Sequence, residues 1–283
     1  MVNLIFKSSV GTEFNLHSFE SAKLEKGNFH KVKWIPEVIN KQFGVVVNRF
    51  TKDPQIFDCT FKFKGSPAHR KRLIDDFHFA TEYDVAHQKT GRIYWNDQYI
   101  DCYFNVTDTH PYDESYTEVI GQFYCPYPFW IEEQFVQIRP SDGAEGEQPD
   151  YVKRYKPAYP YPYAYPYAKN ATYLSVNSAL DSNFKAVIYG PTQEVKFNIN
   201  GHRYQINHSL RVGQIMVLDT RDTTPLDRKC YIINENGTIE NAFDYRDTAS
   251  SIFTKIPSGN IIFNYTRTYG IDLTIFQERS API

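Results

Sequence analysis

The densest cluster of residues that could perform acid–base or metal chemistry is Asp75-Asp76 with His78, flanked by His69 and His87. A carboxylate and an imidazole three residues apart on a helix lie close enough to share a metal ion, but His69 would face another side of that helix. A third ligand therefore does not converge on the pair. We interpret the cluster as a solvated helix face.

Two further carboxylate positions resemble parts of hydrolase sites. Asp219-Thr220 follows a strand, as in aspartic proteases, but lacks the following Gly and a second copy to share the proton. Glu132 and Glu133 would point to opposite faces of an extended chain, so they do not form a glycosidase pair. The chain also lacks a G-x-S-x-G, a P-loop and a Rossmann fingerprint. We predict no catalytic, cofactor-binding or metal-ligating residues and no enzyme activity; a glycan hydrolase is a disfavoured alternative.

The elements that would hold these residues are mostly strands. Residues 56–64 alternate, with Phe57, Cys59, Phe61 and Phe63 on one face. Ser66-Pro67 can then start a helix over about 67–82 with an apolar stripe through Leu73, Ile74 and Phe77. Further strands are predicted in the first half of the chain at 43–50, 91–95, 98–107 and 115–124.

Composition supports a β-rich fold. The 283 residues include 22 Tyr, 21 Phe and 3 Trp but 2 Met, and aromatic residues favour strands. The net charge of −2 disfavours a polyanion-binding protein of the usual basic kind. The start is too weakly apolar for a signal peptide, and no segment approaches about 20 apolar residues, so we expect a soluble chain made in a cytoplasm, without membrane insertion. Four cysteines without a C-x-x-C pair are predicted to be reduced, packed thiols.

Charge is uneven along the first half of the chain. Residues 1–72 hold 13 Lys/Arg against 6 Asp/Glu, whereas residues 73–140 hold 3 against 12. Two solvated surfaces would explain this pattern. A subunit with a basic and an acidic side, suited to head-to-tail contact with its own copies, would explain it too.

Residues 140–169 form a spacer rich in Tyr and Pro. Repeated Pro favours polyproline II, so the stretch is predicted to be a semi-rigid linker between a domain at 1–139 and a domain at 170–283. Its alternating rings suggest a docking strip for a partner or a sugar polymer, the alternative being rings that cover the neighbouring domains. The candidate contact residues are Tyr159, Tyr161, Tyr163 and Tyr165.

The C-terminal part again consists of short strands, which favours a sandwich or jelly roll. Asn200-Gly201 has the chemistry of a two-residue hairpin turn. The predicted strands are 183–189, 193–200, 202–207, 214–219, 229–233, 260–265 and 271–277.

A resemblance to a known family is found in the segment Phe123-Tyr124-Cys125-Pro126-Tyr127-Pro128-Phe129-Trp130. This segment resembles the one that closes the N-terminal domain of the distal tail protein of long, non-contractile-tailed bacteriophages. The C-terminal half is similar to the galectin-like domain of that family through Ile188-Tyr189-Gly190-Pro191, Phe197-x-Ile199-x-Gly201, Val217-Leu218-Asp219-Thr220-Arg221, Asn241-Ala242-Phe243, Ile256-Pro257-Ser258-Gly259-Asn260 and Asp272-Leu273-Thr274-Ile275.

The resemblance implies a mainly β protein in two parts. The N-terminal part would be a β-sandwich or barrel with one α-helix and a hairpin, forming a homohexameric ring in the virion tail. The C-terminal part would be a galectin-like jelly-roll sandwich. Such a ring, assembled in the bacterial host cytoplasm, joins the tail tube protein to the tail-associated tip protein, offers sites for receptor-binding or baseplate proteins, and surrounds a channel through which DNA passes without specific binding. No cofactor and no catalysis are implied.

A channel that passes DNA should not be basic, because phosphate contacts would retain the polymer. We therefore expect part of the acidic stretch to line the channel, with Asp97, Asp101 and Asp108 as candidates. The alternative function is a carbohydrate-binding module that attaches a tail or secreted assembly to cell-wall glycan. The three Trp, the best stacking rings for a sugar, all precede the linker, which disfavours a lectin site in the C-terminal part.

Overall fold

The computed structural model describes residues 2–112, 115–140, 171–221 and 229–283. The chain divides into two compact units, and each is described by itself. Unit 1 comprises Met1–Glu132 and Glu278–Ile283, and unit 2 comprises Glu133–Gln277. The last six residues thus return to unit 1, where the Tyr127 hydroxyl donates to Glu278 over 2.6 Å and the Ile283 amide donates to the Gln98 side chain over 3.0 Å.

Unit 1 contains one long helix, α1 (Pro67–Ala86), among antiparallel strands. The strands are β1 (Leu4–Lys7), β2 (Glu13–Asn15), β3 (Lys23–Lys26), β4 (Ile35–Asn40), β5 (Val45–Thr51), β6 (Gln55–Lys64), β7 (Gly91–Trp95), β8 (Gln98–Tyr112), β9 (Tyr116–Cys125) and β10 (Trp130–Ile138), of which β10 continues into unit 2.

Strand β8 takes part in two successive pairings. Its first residues pair with β7, with Cys102 opposite Gly91, and its later residues pair with β9, with Tyr103 opposite Tyr124. Strand β6 pairs with the other edge of β9, and β3 with β6, while β1 joins β7 to β2. These pairings link the described strands of unit 1 other than β4 and β5 in antiparallel order without closing a barrel. This agrees with the sandwich form of the predicted N-terminal fold.

The core of unit 1 is aromatic. Phe77 of α1 packs edge-on against Phe104 and lies 5.5 Å from Phe61, measured between ring centroids. Helix α1 begins as predicted, because Ser66 accepts a hydrogen bond from the His69 amide and Pro67 occupies the first turn. The other buried rings of this core include Phe6, Phe14, Phe29, Phe57, Phe63, Phe123 and Trp130.

Unit 2 is a β-sandwich with a mainly aliphatic core. One sheet places β12 between β15 and β19 and continues through β16 to β17; the other has the order β11-β18-β13-β14. The strands are β11 (Ala171–Val176), β12 (Asn183–Tyr189), β13 (Val195–Ile199), β14 (His202–Ile206), β15 (Ile215–Asp219), β16 (Lys229–Ile233), β17 (Ile239–Asn241), β18 (Gly259–Tyr265) and β19 (Gly270–Arg279), whose end continues into unit 1.

The predicted mainly β class with one α-helix is confirmed. Helix α1 extends four residues beyond the predicted end, and Asn200-Gly201 joins β13 to β14 with φ values of 47° and 84°, as a type I′ turn requires. All four cysteines are free and buried, in agreement with the prediction of reduced thiols. The prediction missed β1–β4, β10, β11 and β17, several of which are short or rich in polar residues.

Candidate assembly surface

The surface with the most distinctive chemistry is a separate two-stranded hairpin, residues 35–51, here called the arm. Strands β4 and β5 pair with each other and with no other described strand, and the Lys41 amide donates to the Gly44 carbonyl at the turn. A two-stranded hairpin without a third strand or a supporting helix is marginally stable in water. The arm therefore needs a surface on which to pack.

The arm is apolar and exposed on both of its faces. Phe43 at the tip is 88% exposed and Phe50 is 57% exposed. No arm residue is buried, although β-branched residues usually occupy half-buried strand positions. The other exposed apolar side chains are Val38, Ile39, Val45, Val46 and Val47, at 44–57% exposure. Clustered exposed apolar residues of this kind make the arm a candidate protein interaction site.

Pairing in the arm separates two faces of unlike chemistry. The register sets Glu37 opposite Arg49, and the guanidinium donates to the carboxylate over 2.7 and 2.9 Å. This hydrogen bonding lowers the pKa of Glu37 and raises that of Arg49. Because partners across a ladder share a face, the opposite face is formed by Pro36, Val38, Asn40, Val45, Val47 and Phe50. That second face carries no charge and is the better candidate for burial against another protein surface.

The base of the arm is fixed to unit 1 by Lys52. Its ammonium donates to the Pro128 carbonyl over 2.7 Å and lies 4.4 Å from the Phe129 ring centroid and 5.2 Å from that of Trp34. Burial lowers the pKa of this lysine. Pro128 and Phe129 belong to Phe123–Trp130, one of the segments that carry the family resemblance, so this segment anchors the arm.

Charge on the arm differs from charge on α1. Residues 31–52 hold five Lys/Arg and one acid, Glu37. The exposed acidic residues of α1 are Asp75, Asp76 and Glu82, against the exposed cations Lys71 and Arg72, and Arg72 lies 3.8 Å from Asp76. The helix also exposes Phe79 at 65%. The same unit thus presents a basic apolar projection and a weakly acidic helix surface, two unlike surfaces of the kind that meet in head-to-tail contacts.

The three aspartates proposed from the sequence to line a channel do not form one cluster. Asp97 is exposed in the turn between β7 and β8, and Asp108 is exposed eleven residues further along β8. Asp101 accepts a hydrogen bond from Arg92 over 2.9 Å, which offsets its charge, and Asp108 lies 2.8 Å from the His110 ring.

The other residues with possible chemistry are structural or lie elsewhere. Thr220 is buried and its hydroxyl bonds the backbone of Phe184, while Asp219 pairs with Arg221 over 2.7 Å. Within the described ranges no three His, Cys, Asp or Glu side chains are placed to hold a metal ion. Tyr159, Tyr161, Tyr163 and Tyr165 lie outside the described residues.

The buried thiols of unit 1 are not activated as nucleophiles. Cys102 and Cys125 lie opposite each other on β8 and β9, and Cys59 lies on the neighbouring strand β6. Burial raises the pKa of Cys59 to about 12 and that of Cys102 well above its usual value. Such thiols remain protonated at neutral pH and are poor nucleophiles.

Solved structures of phage tail proteins share this fold. No protein-family model and no curated protein matches the sequence. The chain nevertheless superposes over nearly its whole length on a phage Dit protein and on chains of a phage baseplate, so the fold implied by the resemblance in the sequence is confirmed.

One similar structure is that of SPP1 Dit (gp 19.1), described as a paradigm of the hub adsorption apparatus in phages that infect Gram-positive bacteria. It has 9% identity and a TM-score of 0.61 over 99% of each chain. Two others come from the phage p2 baseplate in its activated conformation, with Sr and with Ca. Each has 12% identity over the full length of both chains, with TM-scores of 0.60 and 0.59. Among the described residues no helix is long and apolar enough to cross a membrane.

Proposed function

We propose that this chain is the structural hub of a phage tail, a distal tail protein that forms a homohexameric ring between the tail tube and the tip or baseplate. The observation that carries the proposal is the arm, an apolar hairpin that pairs with no other strand among the described residues. Its occurrence in a fold shared with phage hub proteins points to a self-assembling subunit rather than to an enzyme.

Ring closure follows from the two unlike surfaces of unit 1. Heterologous contacts that repeat the same rotation close into a ring, and each contact covers one arm. Fully burying a Val or Phe side chain stabilises by about 1.5–3 kcal/mol, so covering several half-exposed side chains yields a substantial part of an interface free energy. In this proposal residues 1–139 form the ring, 140–169 are the spacer, and 170–283 are the galectin-like domain outside it.

The ring would surround the channel through which DNA leaves the particle. Asp97 and Asp108, with Asp101 in its ion pair, would keep the wall from attracting phosphate. The tail tube protein, a tail-associated tip protein and receptor-binding or baseplate proteins would dock on the two sides of the ring. A net basic channel wall in the assembled ring would contradict this part of the proposal.

The role of the arm in assembly is tested by measuring the mass of the purified protein in solution. Light scattering of the purified full chain should give about six times the 33.1 kDa chain mass. Replacing three residues of the uncharged face together, Val38→Ser, Val47→Ser and Phe50→Ser, should shift the chain to a monomer that still unfolds cooperatively, at a lower temperature than the ring because assembly no longer stabilises the folded state.

The matched control replaces two equally exposed apolar residues in unit 2. Val212 and Ile239 are 74% and 70% exposed, so Val212→Ser with Ile239→Ser removes comparable exposed apolar surface outside the arm. This variant should assemble as the wild type does. A wild-type chain that remains monomeric at every concentration, with or without the tail tube protein, would overturn the ring, and an arm variant that still forms rings would overturn the role of the arm.

A further inference from the structure

Unit 2 has a cleft of about 760 Å³ where strands β13 and β18 separate. These strands pair from Phe197 to Ile199, and beyond Tyr265 the chain turns away from β13. The backbone of Lys196 is then bonded by a side chain, because the Tyr269 hydroxyl accepts from its amide and donates to its carbonyl, both over 2.9 Å. On the edge of β13 that forms the floor of the cleft, the backbone of Lys196 is therefore hydrogen-bonded by a side chain and not by a neighbouring strand.

The opposite wall is fixed by close backbone packing. Thr192 and Leu210 exchange two backbone hydrogen bonds of 3.0 and 2.8 Å. A Cβ atom at Gly190 would lie 2.1 Å from the Arg211 carbonyl oxygen, so glycine is needed at this close approach. The cleft is accordingly a preformed feature of the sandwich, which is what ligand sites usually are.

Polar side chains without internal partners line this cleft. Gln193, Glu194, Lys196, Asn198 and Arg211 make no side-chain hydrogen bond or ion pair within the described part of the chain. Asn198 is half-buried and the other four side chains are exposed around the cleft. Five unpaired hydrogen-bonding groups around one concavity provide donors and acceptors for a polar ligand, and two cations against one carboxylate favour a negative ligand.

The cleft offers no aromatic face for a sugar ring. Tyr265 and Tyr269 line it but are 4% and 3% exposed, and both hydroxyls bond to backbone groups. A neutral pyranose is bound mainly by stacking on an exposed ring, so its main interaction is missing here. Hydroxyl-rich ligands that carry negative charge depend instead on charge-assisted hydrogen bonds, which Lys196 and Arg211 can donate.

We infer that this cleft binds an anionic polyhydroxylated polymer, in which negative groups alternate with hydroxyl-bearing carbons. Lys196 and Arg211 bind the anionic group, while Asn198, Gln193 and Glu194 bind the flanking hydroxyls. A polyol phosphate and a polyuronic acid share this chemistry. The inference goes beyond the hub function, since it gives unit 2 a ligand at a surface that the arm does not include.

Calorimetric titration of the full-length protein tests the inference. The probes are poly(glycerol phosphate), polygalacturonate, neutral dextran and inorganic phosphate. Binding is expected for at least one of the two anionic polymers, identifying the source of the charge, and not for dextran. Lys196→Ala with Arg211→Ala should weaken it by about tenfold or more, because a hydrogen bond to a charged group contributes about 1.5–3 kcal/mol.

Lys229→Ala is the matched control, since Lys229 is an exposed cation of the same unit outside the cleft. It should bind as the wild type does. Light scattering and thermal unfolding of all variants show whether folding and assembly are intact, so a failure of the cleft is distinguished from a failure of the ring. Absence of binding to both polymers, equal binding of inorganic phosphate, or unchanged affinity of the double variant would overturn the inference.

Discussion

Two hairpins of this protein use similar strand residues but meet different surroundings. In the β13–β14 hairpin, Val195, Phe197, Ile199, Tyr204 and Ile206 are each at most 2% exposed. In the arm, the Val and Phe residues and Ile39 are at least 44% exposed, and Ile35 is half-buried. The first hairpin pairs with β18 and covers a core, whereas the second has no described strand beside it. The residue types in the strands and turn therefore specify that a hairpin forms. The segments that pack beside the hairpin determine whether its apolar side chains join a core or stay exposed for a partner.

The largest expected difference between the hairpins concerns unfolding. Phe197 packs against Tyr204 and Phe263 with ring-centroid distances of 5.0 and 5.3 Å. Phe197→Ala should lower the free energy of unfolding by about 3–5 kcal/mol, because it leaves a cavity in a closed core. Urea denaturation followed by near-ultraviolet circular dichroism measures this.

The matching change in the arm is Phe50→Ala, which should leave the unfolding free energy of the monomer almost unchanged. The unfolding free energy should be measured with and without Phe50→Ala in a chain that already carries Val38→Ser and Val47→Ser. We expect that background to be monomeric, so loss of assembly does not affect the measured difference. An equal loss in both hairpins would show that the arm is packed on its own chain and would remove the contrast.

A smaller effect is expected at the two hairpin turns. Gly44 and Gly201 have φ values of +79° and +84°, and neither has a heavy atom within 4 Å of an added Cβ. Alanine at either position meets no clash but adopts a left-handed conformation at a cost of about 1 kcal/mol. Gly201→Ala should lower the melting temperature of the chain by a few degrees.

Gly44→Ala should instead weaken assembly, because the arm contributes to the interface and not to the core. Sedimentation at several concentrations would detect this as dissociation at higher protein concentration than in the wild type. A drop in the monomer melting temperature with Gly44→Ala, and none with Gly201→Ala, would reverse the comparison.

The smallest expected effect is at the base of the arm. Lys52→Gln removes the ammonium from the rings of Phe129 and Trp34, an interaction of about 0.5–1 kcal/mol. The angle between the arm and the rest of its unit should then vary more, so rings should assemble more slowly. Stopped-flow light scattering measures this rate. Lys41→Gln at the tip, which removes a charge without an aromatic contact, serves as the control. Equal slowing in both variants would assign the effect to net charge.

Local sequence signals predicted much of the fold. The alternation of Phe57, Cys59, Phe61 and Phe63 was confirmed as a buried face because pleating places every second side chain on one side. The short strands β1 and β2 were missed, since three or four residues carry too little periodicity. The arm was predicted only in part: residues 43–50 were identified as a strand, but the polar interruptions in β4 concealed its partner.

The sequence by itself determined the strand chemistry, the helix start at Ser66, the turn at Asn200-Gly201 and the unequal charge of the first 140 residues. These features depend on neighbours along the chain, so periodicity and turn preferences are enough to reveal them. The tertiary structure alone decided that the last six residues return to unit 1, that β18 leaves β13 to open a cleft, and that no described strand pairs with the apolar arm. Burial depends on which distant segments pack against a strand, and that information is not contained in the strand itself.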